Sequence, residues 1–193
     1  MNNTEVFTNW IIFTGTTCSG KTTTLKRFHE LGYSVVAEPA RAYIEEQAAS
    51  GIPLETITER LLADKRQFQR WVLQLKIKLE KNLNPQSIFI LDRGLPDSIA
   101  YFRLWHLDSA AITADCSLYR YAKVFIFARL PMVNDGVRFE TEEQRALHEK
   151  LLTDAYTELG YTPTLVPVMP LEQRVNYVIE TLAGKTGANG RHR

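Results

Sequence analysis

The sequence predicts a doubly wound α/β domain built on a five-stranded parallel sheet. Five short runs of β-branched and aromatic residues alternate with longer stretches of helical period. A glycine-bearing turn stands directly between the first run and the first helix. The runs lie at 10–13, 33–37, 87–91, 123–128 and 164–168. They are continuously apolar rather than alternating, which is the pattern of strands covered on both faces. Parallel neighbours need crossover connections, and right-handed crossovers give the doubly wound arrangement.

The helices follow from period and punctuation. The first runs from Lys21 to about Leu31 and is stopped by Gly32. Leu54, Ile57, Leu61, Phe68, Val72, Leu75 and Leu79 step by three, four or seven, which predicts one long amphipathic stretch ended by Pro85. A further helix follows the third strand to about His106, another ends near Leu159-Gly160, and a closing helix spans 171–182. A polar segment, 131–141, separates the fourth strand from its helix. Residues 1–183 are expected to form the domain, and 184–193 a frayed tail.

Composition excludes several classes. The chain has 193 residues, 45% hydrophobic and 23% charged, as for an ordinary globular domain. A net charge of +1 supplies no field for nucleic acid, so anion binding must be local. Cys18 and Cys116 have neither metal nor redox spacing. The N-terminus lacks a secretory pattern, and no apolar run approaches the ~20 residues of a bilayer span. A cytoplasmic protein without membrane contact is the expectation.

The chemistry begins at residues 15–22. Gly15, Thr16, Thr17, Cys18, Ser19, Gly20, Lys21 and Thr22 match G-x-x-x-x-G-K-[ST] between a strand and a helix. The glycines let successive backbone N–H groups converge on phosphate oxygens, and the helix offers its positive end to the same anion. Lys21 would reach the β- and γ-phosphates, and the Thr22 hydroxyl a magnesium ion. Thr23 completes the nucleotide-binding set, and Cys18 is a small spacer. Lys21→Ala is therefore expected to weaken triphosphate binding with little effect on the fold.

A second carboxylate site follows. The third strand ends at Asp92, where doubly wound sheets place their ligands, so Asp92 is a candidate magnesium carboxylate. Glu38-Pro39 ends the second strand. A glutamate beside an arginine, Arg41 or Arg93, would stay ionised and could accept a proton from a substrate hydroxyl. The alternative for Glu38 is a carboxylate stabilised by a helix N-terminus. Tyr101, Phe102 and Trp105, like Phe68 and Trp71, are either ring-stacking residues or a packed helix face, and packing is the simpler account.

These motifs resemble the small-molecule P-loop kinases, the deoxynucleoside and thymidylate kinases and above all the NadR-like ATPase/kinase family with its ribosylnicotinamide kinase domain. The similarity rests on residues 15–22, Glu38-Pro39-Ala40-Arg41, the run from Asp92-Arg93-Gly94 to Ser98, Asn134-Asp135-Gly136-Val137-Arg138, and 159–167. It implies a nucleoside-kinase-like P-loop NTPase with Asp92 at the magnesium, Glu38 as base, and Arg93 orienting substrate or phosphates. It also implies a mobile lid at about 131–145 carrying Asp135 and Arg138, with Arg145 a second lid candidate. The alternative for Arg138 is a solvated loop charge.

Two functions follow from this. One is phosphoryl transfer from ATP·Mg to a small hydroxyl compound, a nucleoside or ribosyl derivative. The other is an ATP- or GTP-binding NTPase switch read by a protein partner. A guanine-specific switch of the usual kind is disfavoured, because the sequence has no Asn/Thr-Lys-x-Asp motif.

Overall fold

The computed structural model describes residues 5–131 and 141–184. Its sheet has five strands, all parallel, in the order β3 (Val35–Val36), β4 (Ile90–Asp92), β2 (Ile11–Gly15), β6 (Lys123–Phe127) and β7 (Thr164–Val166). All five predicted runs are the sheet strands. A small ladder, β1 (Val6–Phe7) against β5 (Tyr119–Arg120), lies outside them and has no apolar periodicity to announce it.

The three central strands β2, β4 and β6 are buried on both faces, as continuous apolar runs require. Side chains alternate across a strand. Trp10 and Ile12 accordingly join one core, and Ile11 and Phe13 the other. The first core packs under α4 (Lys65–Lys81), α5 (Asp97–Leu104) and α7 (Glu142–Glu158) through Leu73, Ile99, Phe102, Leu152 and Tyr156. The second packs under α1 (Lys21–Glu30) and α8 (Leu171–Leu182) through Leu25, Phe28, Val175 and Val178. Phe102 is thus a core residue, as the packing account has it.

The long amphipathic stretch differs from expectation. It is two helices, α3 (Leu54–Leu62) and α4, preceded by α2 (Pro39–Ala49). The break falls at Asp64, whose backbone is extended at φ −128 and whose carboxylate caps α4 by accepting from the Gln67 N–H at 2.9 Å. A good N-cap can interrupt an apolar stripe without disturbing its spacing. Pro39 opens α2, where its missing N–H costs nothing. A capping box between Thr141 and Gln144 opens α7. The short α6 (Thr113–Cys116) precedes β5.

Thr141 to Arg145, the far end of the expected lid, are therefore the cap and first turn of α7. Asn134, Asp135 and Arg138 lie outside the described residues, as does all of the expected tail after Gly184. Among the described residues no helix is long and apolar enough to cross a membrane.

One buried acid gives the fold a pH dependence. Glu80 on α4 is 1% exposed and accepts the Tyr121 hydroxyl at 2.9 Å. Burial pushes its carboxyl from the ordinary 4.5 up to about 8. The folded chain therefore holds a proton that the unfolded chain releases. The resulting stability is full below the unfolded pKa and is lost as pH rises toward 8. Urea unfolding of Glu80→Gln should show a smaller loss of stability between pH 5 and pH 8 than the wild type. Parallel pH profiles for the two proteins would remove Glu80 as the cause.

Candidate functional site

The site forms at the carboxyl ends of three adjacent strands. β2 runs into the loop 15–20, β4 ends at Asp92, and β3 leads to Glu38, the residue before α2. Gly15 has φ 151, and a Cβ there would stand 2.8 Å from the Phe127 carbonyl oxygen. Only glycine lets the loop pass this close to β6. Cys18 takes a left-handed φ of 61, uncommon for a side-chain-bearing residue. The loop closes a cavity of about 230 Å³ lined by Thr16, Thr17, Ser19, Lys21, Arg41 and Arg93 among others. The Ser19 hydroxyl is buried and has no hydrogen-bond partner among the described residues. A phosphate-shaped cradle and an unfilled donor at its wall fit an anion.

Lys21, which lines this cavity, and Asp92, each 6% exposed, form an ion pair at 2.5 Å. Burial and the charge of Arg93 draw the Lys21 ammonium below the ordinary lysine range, against the pull of Asp92. The Thr22 hydroxyl accepts from Arg41 Nη1 at 2.7 Å. Both predicted metal residues are thus held by cations of this chain.

Arg93 is the hub. Its backbone N–H bonds the Phe13 carbonyl at 2.9 Å, just past the sheet, and its φ of 69 turns the chain away from β4. The guanidinium pairs with Asp97 at 2.8 Å and with Glu38 at 3.4 Å. Burial opposes its charge, but Tyr101, Glu38 and Asp97 outweigh burial, and its pKa lies above the ordinary arginine value. Of the two arginines proposed beside Glu38, the structure selects Arg93. Arg41 points to the phosphate loop instead.

Further residues complete the site: Asp97 and Gly94 belong to the 92–98 run of the resemblance, whereas Lys76 and His148 carry no sequence signal. Asp97 is fully buried and accepts from Thr14 and Tyr156, each at 2.5 Å, and from the Gly94 N–H at 3.1 Å. Burial would raise its carboxyl, yet Arg93, Lys76 and the Thr14 and Tyr156 hydroxyls hold it below the usual carboxylate range. Lys76 of α4, 2% exposed, stands 3.9 Å from Glu38 and donates to the Gly94 carbonyl at 3.4 Å. Gly94 itself is required by space, since a Cβ would lie 2.9 Å from both Tyr121 and Tyr156. His148 of α7 is buried with neither ring nitrogen partnered among the described residues, and burial followed by the Arg93 charge pushes its pKa down to about 4. Its ring meets Tyr101 at 4.6 Å, and the Arg93 guanidinium lies over the same Tyr101 ring, 5.3 Å from its centroid.

The remaining candidates lie elsewhere. Arg145 is buried at the base of α7, where it donates to the Thr17 carbonyl at 3.3 Å and the Leu130 carbonyl at 3.0 Å, tying α7 to the phosphate loop. Trp105 faces the Lys65 ammonium at 4.3 Å. Phe68, Trp71 and Tyr43 line a separate cavity with Arg60, Asp64 and Gln67. Tyr43 and Arg41 are two positions apart on one helix, about 200° around its axis, so that cavity opens away from the phosphate loop.

A parallel sheet with this loop after its first main strand is the P-loop NTPase arrangement. A family profile described as AAA domain matches residues 10–174. The chain belongs to that family. Comparison with curated protein sequences finds no match. Among solved structures it is similar to thymidylate kinase from Ehrlichia chaffeensis (18% identity, TM-score 0.61, 90% of this chain and 97% of that one). It is also similar to deoxyadenosine kinase from M. mycoides with bound dATP (17%, 0.64, 90% and 98%). A NadR protein in complex with NAD and AMP-PNP aligns at 17% identity and TM-score 0.64. That alignment covers 97% of this chain but about half, 52%, of the NadR chain. At these identities the likeness is one of fold.

The Lys21–Asp92 pair changes the expectation for Lys21→Ala. Removing one partner of a buried ion pair strands the other and costs about 3 kcal/mol. Lys21→Ala should therefore lose stability as well as triphosphate affinity, and adding Asp92→Asn should recover much of the stability in urea unfolding. Equal stability of wild type and Lys21→Ala would show that the pair contributes nothing to the fold.

Proposed function

We propose that this chain is a kinase that transfers the γ-phosphoryl group of ATP·Mg to a hydroxyl of a small nucleoside or ribosyl compound. The observation that carries it is the order of strand ends: phosphate loop on β2, Asp92 on neighbouring β4, Glu38 beyond β3. Two strand spacings, about 10 Å, separate the donor loop from the glutamate, enough for a γ-phosphate and an acceptor hydroxyl between them.

The residues divide the work. The loop N–H groups, Ser19 and Lys21 would bind the phosphates, with Lys21 exchanging Asp92 for phosphate oxygens. Thr22 and Asp92 would hold magnesium, which neutralises phosphate charge when bound. Among the described residues no cluster of three or more His, Cys, Asp or Glu could hold a metal alone. A cation here would therefore share its coordination with phosphate. Arg93 and Lys76 keep Glu38 beside cations. In transfer, the acceptor oxygen bonds the γ-phosphorus while the bond to the β–γ bridging oxygen breaks, and ADP leaves with that electron pair. The acceptor proton passes to Glu38. From the family resemblance we propose a role on the transferring group for Arg138, in the stretch before α7.

The relatives named above act on or bind nucleosides, nucleotides and a dinucleotide, which supports an acceptor bearing a ribose-like hydroxyl. A transfer screen with γ-labelled ATP across nucleosides, ribosides, vitamins and sugars identifies it. Against the acceptor found, Glu38→Gln should lower transfer on the order of a hundredfold with Mg·ATP affinity nearly intact. Wild-type transfer by Glu38→Gln would move the base to another carboxylate, and hydrolysis without any acceptor would favour the NTPase switch.

A further inference from the structure

We propose that Arg41 is a ligand of the γ-phosphate, delivered from α2, and that it occupies the Thr22 hydroxyl until a nucleoside triphosphate arrives. The assignment rests on the phosphate-transfer function proposed above and extends it to a residue that neither the loop motif nor the carboxylate pair accounts for.

Charge matching points to it. Three cations line the loop cavity: Lys21, Arg41 and Arg93. Lys21 is paired with Asp92, and Arg93 with Glu38 and Asp97. Among the described residues no carboxylate pairs with Arg41. Its recorded partner is the neutral Thr22 hydroxyl, at 2.7 Å. Four of the five guanidinium N–H groups are left for other acceptors by that single bond. An exposed cation turned into a cavity already built for an anion is complementary to that anion rather than to the fold.

Position selects which phosphate. In a loop of this sequence the lysine and the hydroxyl after it stand at the β/γ end of the bound triphosphate. A guanidinium within 2.7 Å of the Thr22 hydroxyl is therefore beside the γ-phosphate. A planar guanidinium can bridge two phosphate oxygens at once, which a diphosphate lacking that group cannot exploit. Releasing Thr22 in the same movement frees the hydroxyl for a cation. Arg41 lies one helical turn from Glu38, in the first turn of α2. The proposed base and the γ-phosphate ligand are thereby carried by one short element, and a shift of α2 that brings in an acceptor moves both.

The test is calorimetric titration of the whole chain with Mg·ADP and Mg·AMP-PNP, in wild type, Arg41→Ala and Arg41→Lys. Arg41 is exposed, so thermal unfolding of the variants should match the wild type. Arg41→Ala should bind Mg·AMP-PNP about tenfold or more weakly while Mg·ADP stays within about twofold, as expected for one charge-assisted contact. Arg41→Lys should recover part of the loss. Equal losses for both nucleotides, or none for either, overturn the γ-phosphate contact. Tighter Mg·ADP binding with unchanged Mg·AMP-PNP would leave Arg41 only a lock on Thr22 and also overturns it. Wild-type chain that binds neither nucleotide sinks the phosphate-loop function itself, an outcome distinct from those that overturn only the Arg41 contact.

Discussion

Two buried cations, Lys21 at the start of α1 and Arg93 just after β4, constrain everything around them. A charge removed from water must be paired and hydrogen-bonded or it destabilises the fold by several kcal/mol. Asp92 answers Lys21, and Asp97 with Glu38 answers Arg93. Asp97 in turn needs Thr14 from β2 and Tyr156 from α7 to satisfy its second oxygen and its remaining lone pairs. One ionic chain therefore fastens β2, β4, α5 and α7 at the edge of the sheet where a ligand would sit.

The same chain explains how a rigid site can still exchange partners. Asp97 is locked by three protein donors besides Arg93, so an incoming phosphate would not displace it from Arg93. Lys21 has a single strong partner, and Thr22 and Arg41 hold each other through one bond. The groups proposed to bind phosphate are thus the ones with replaceable partners, whereas Asp97, which helps position them, is saturated. Functional sites commonly divide this way, with a mobile inner set carried on a fully bonded support.

How much of this was legible in the sequence depends on range. The five strands were legible because a parallel sheet covered on both faces writes itself as unbroken apolar runs. The phosphate loop was legible because its residues are consecutive and each has a local task. Asp64 was not, because one cap inside a seven-residue stripe leaves the apolar spacing intact. The helix α2 was missed for a related reason: only Ala40 of it is buried, so no stripe marks it. Lys76, Tyr101 and His148 come from three different helices and reach the surroundings of Arg93 and Glu38 only through tertiary packing. No spacing in the chain could have joined Lys76 to Glu38, and the choice between Arg41 and Arg93 as partner of Glu38 was a question of direction that a linear motif does not contain.

The central claim is that Lys21 rests on Asp92 and transfers to phosphate when nucleotide binds. A crystal structure of the chain with Mg·AMP-PNP tests it most directly. The account predicts Lys21 Nζ on β- and γ-phosphate oxygens, Asp92 released toward the metal, and Asp97 still bonded to Arg93, Thr14 and Tyr156. A complex in which nucleotide is bound with the Lys21–Asp92 pair intact would contradict it.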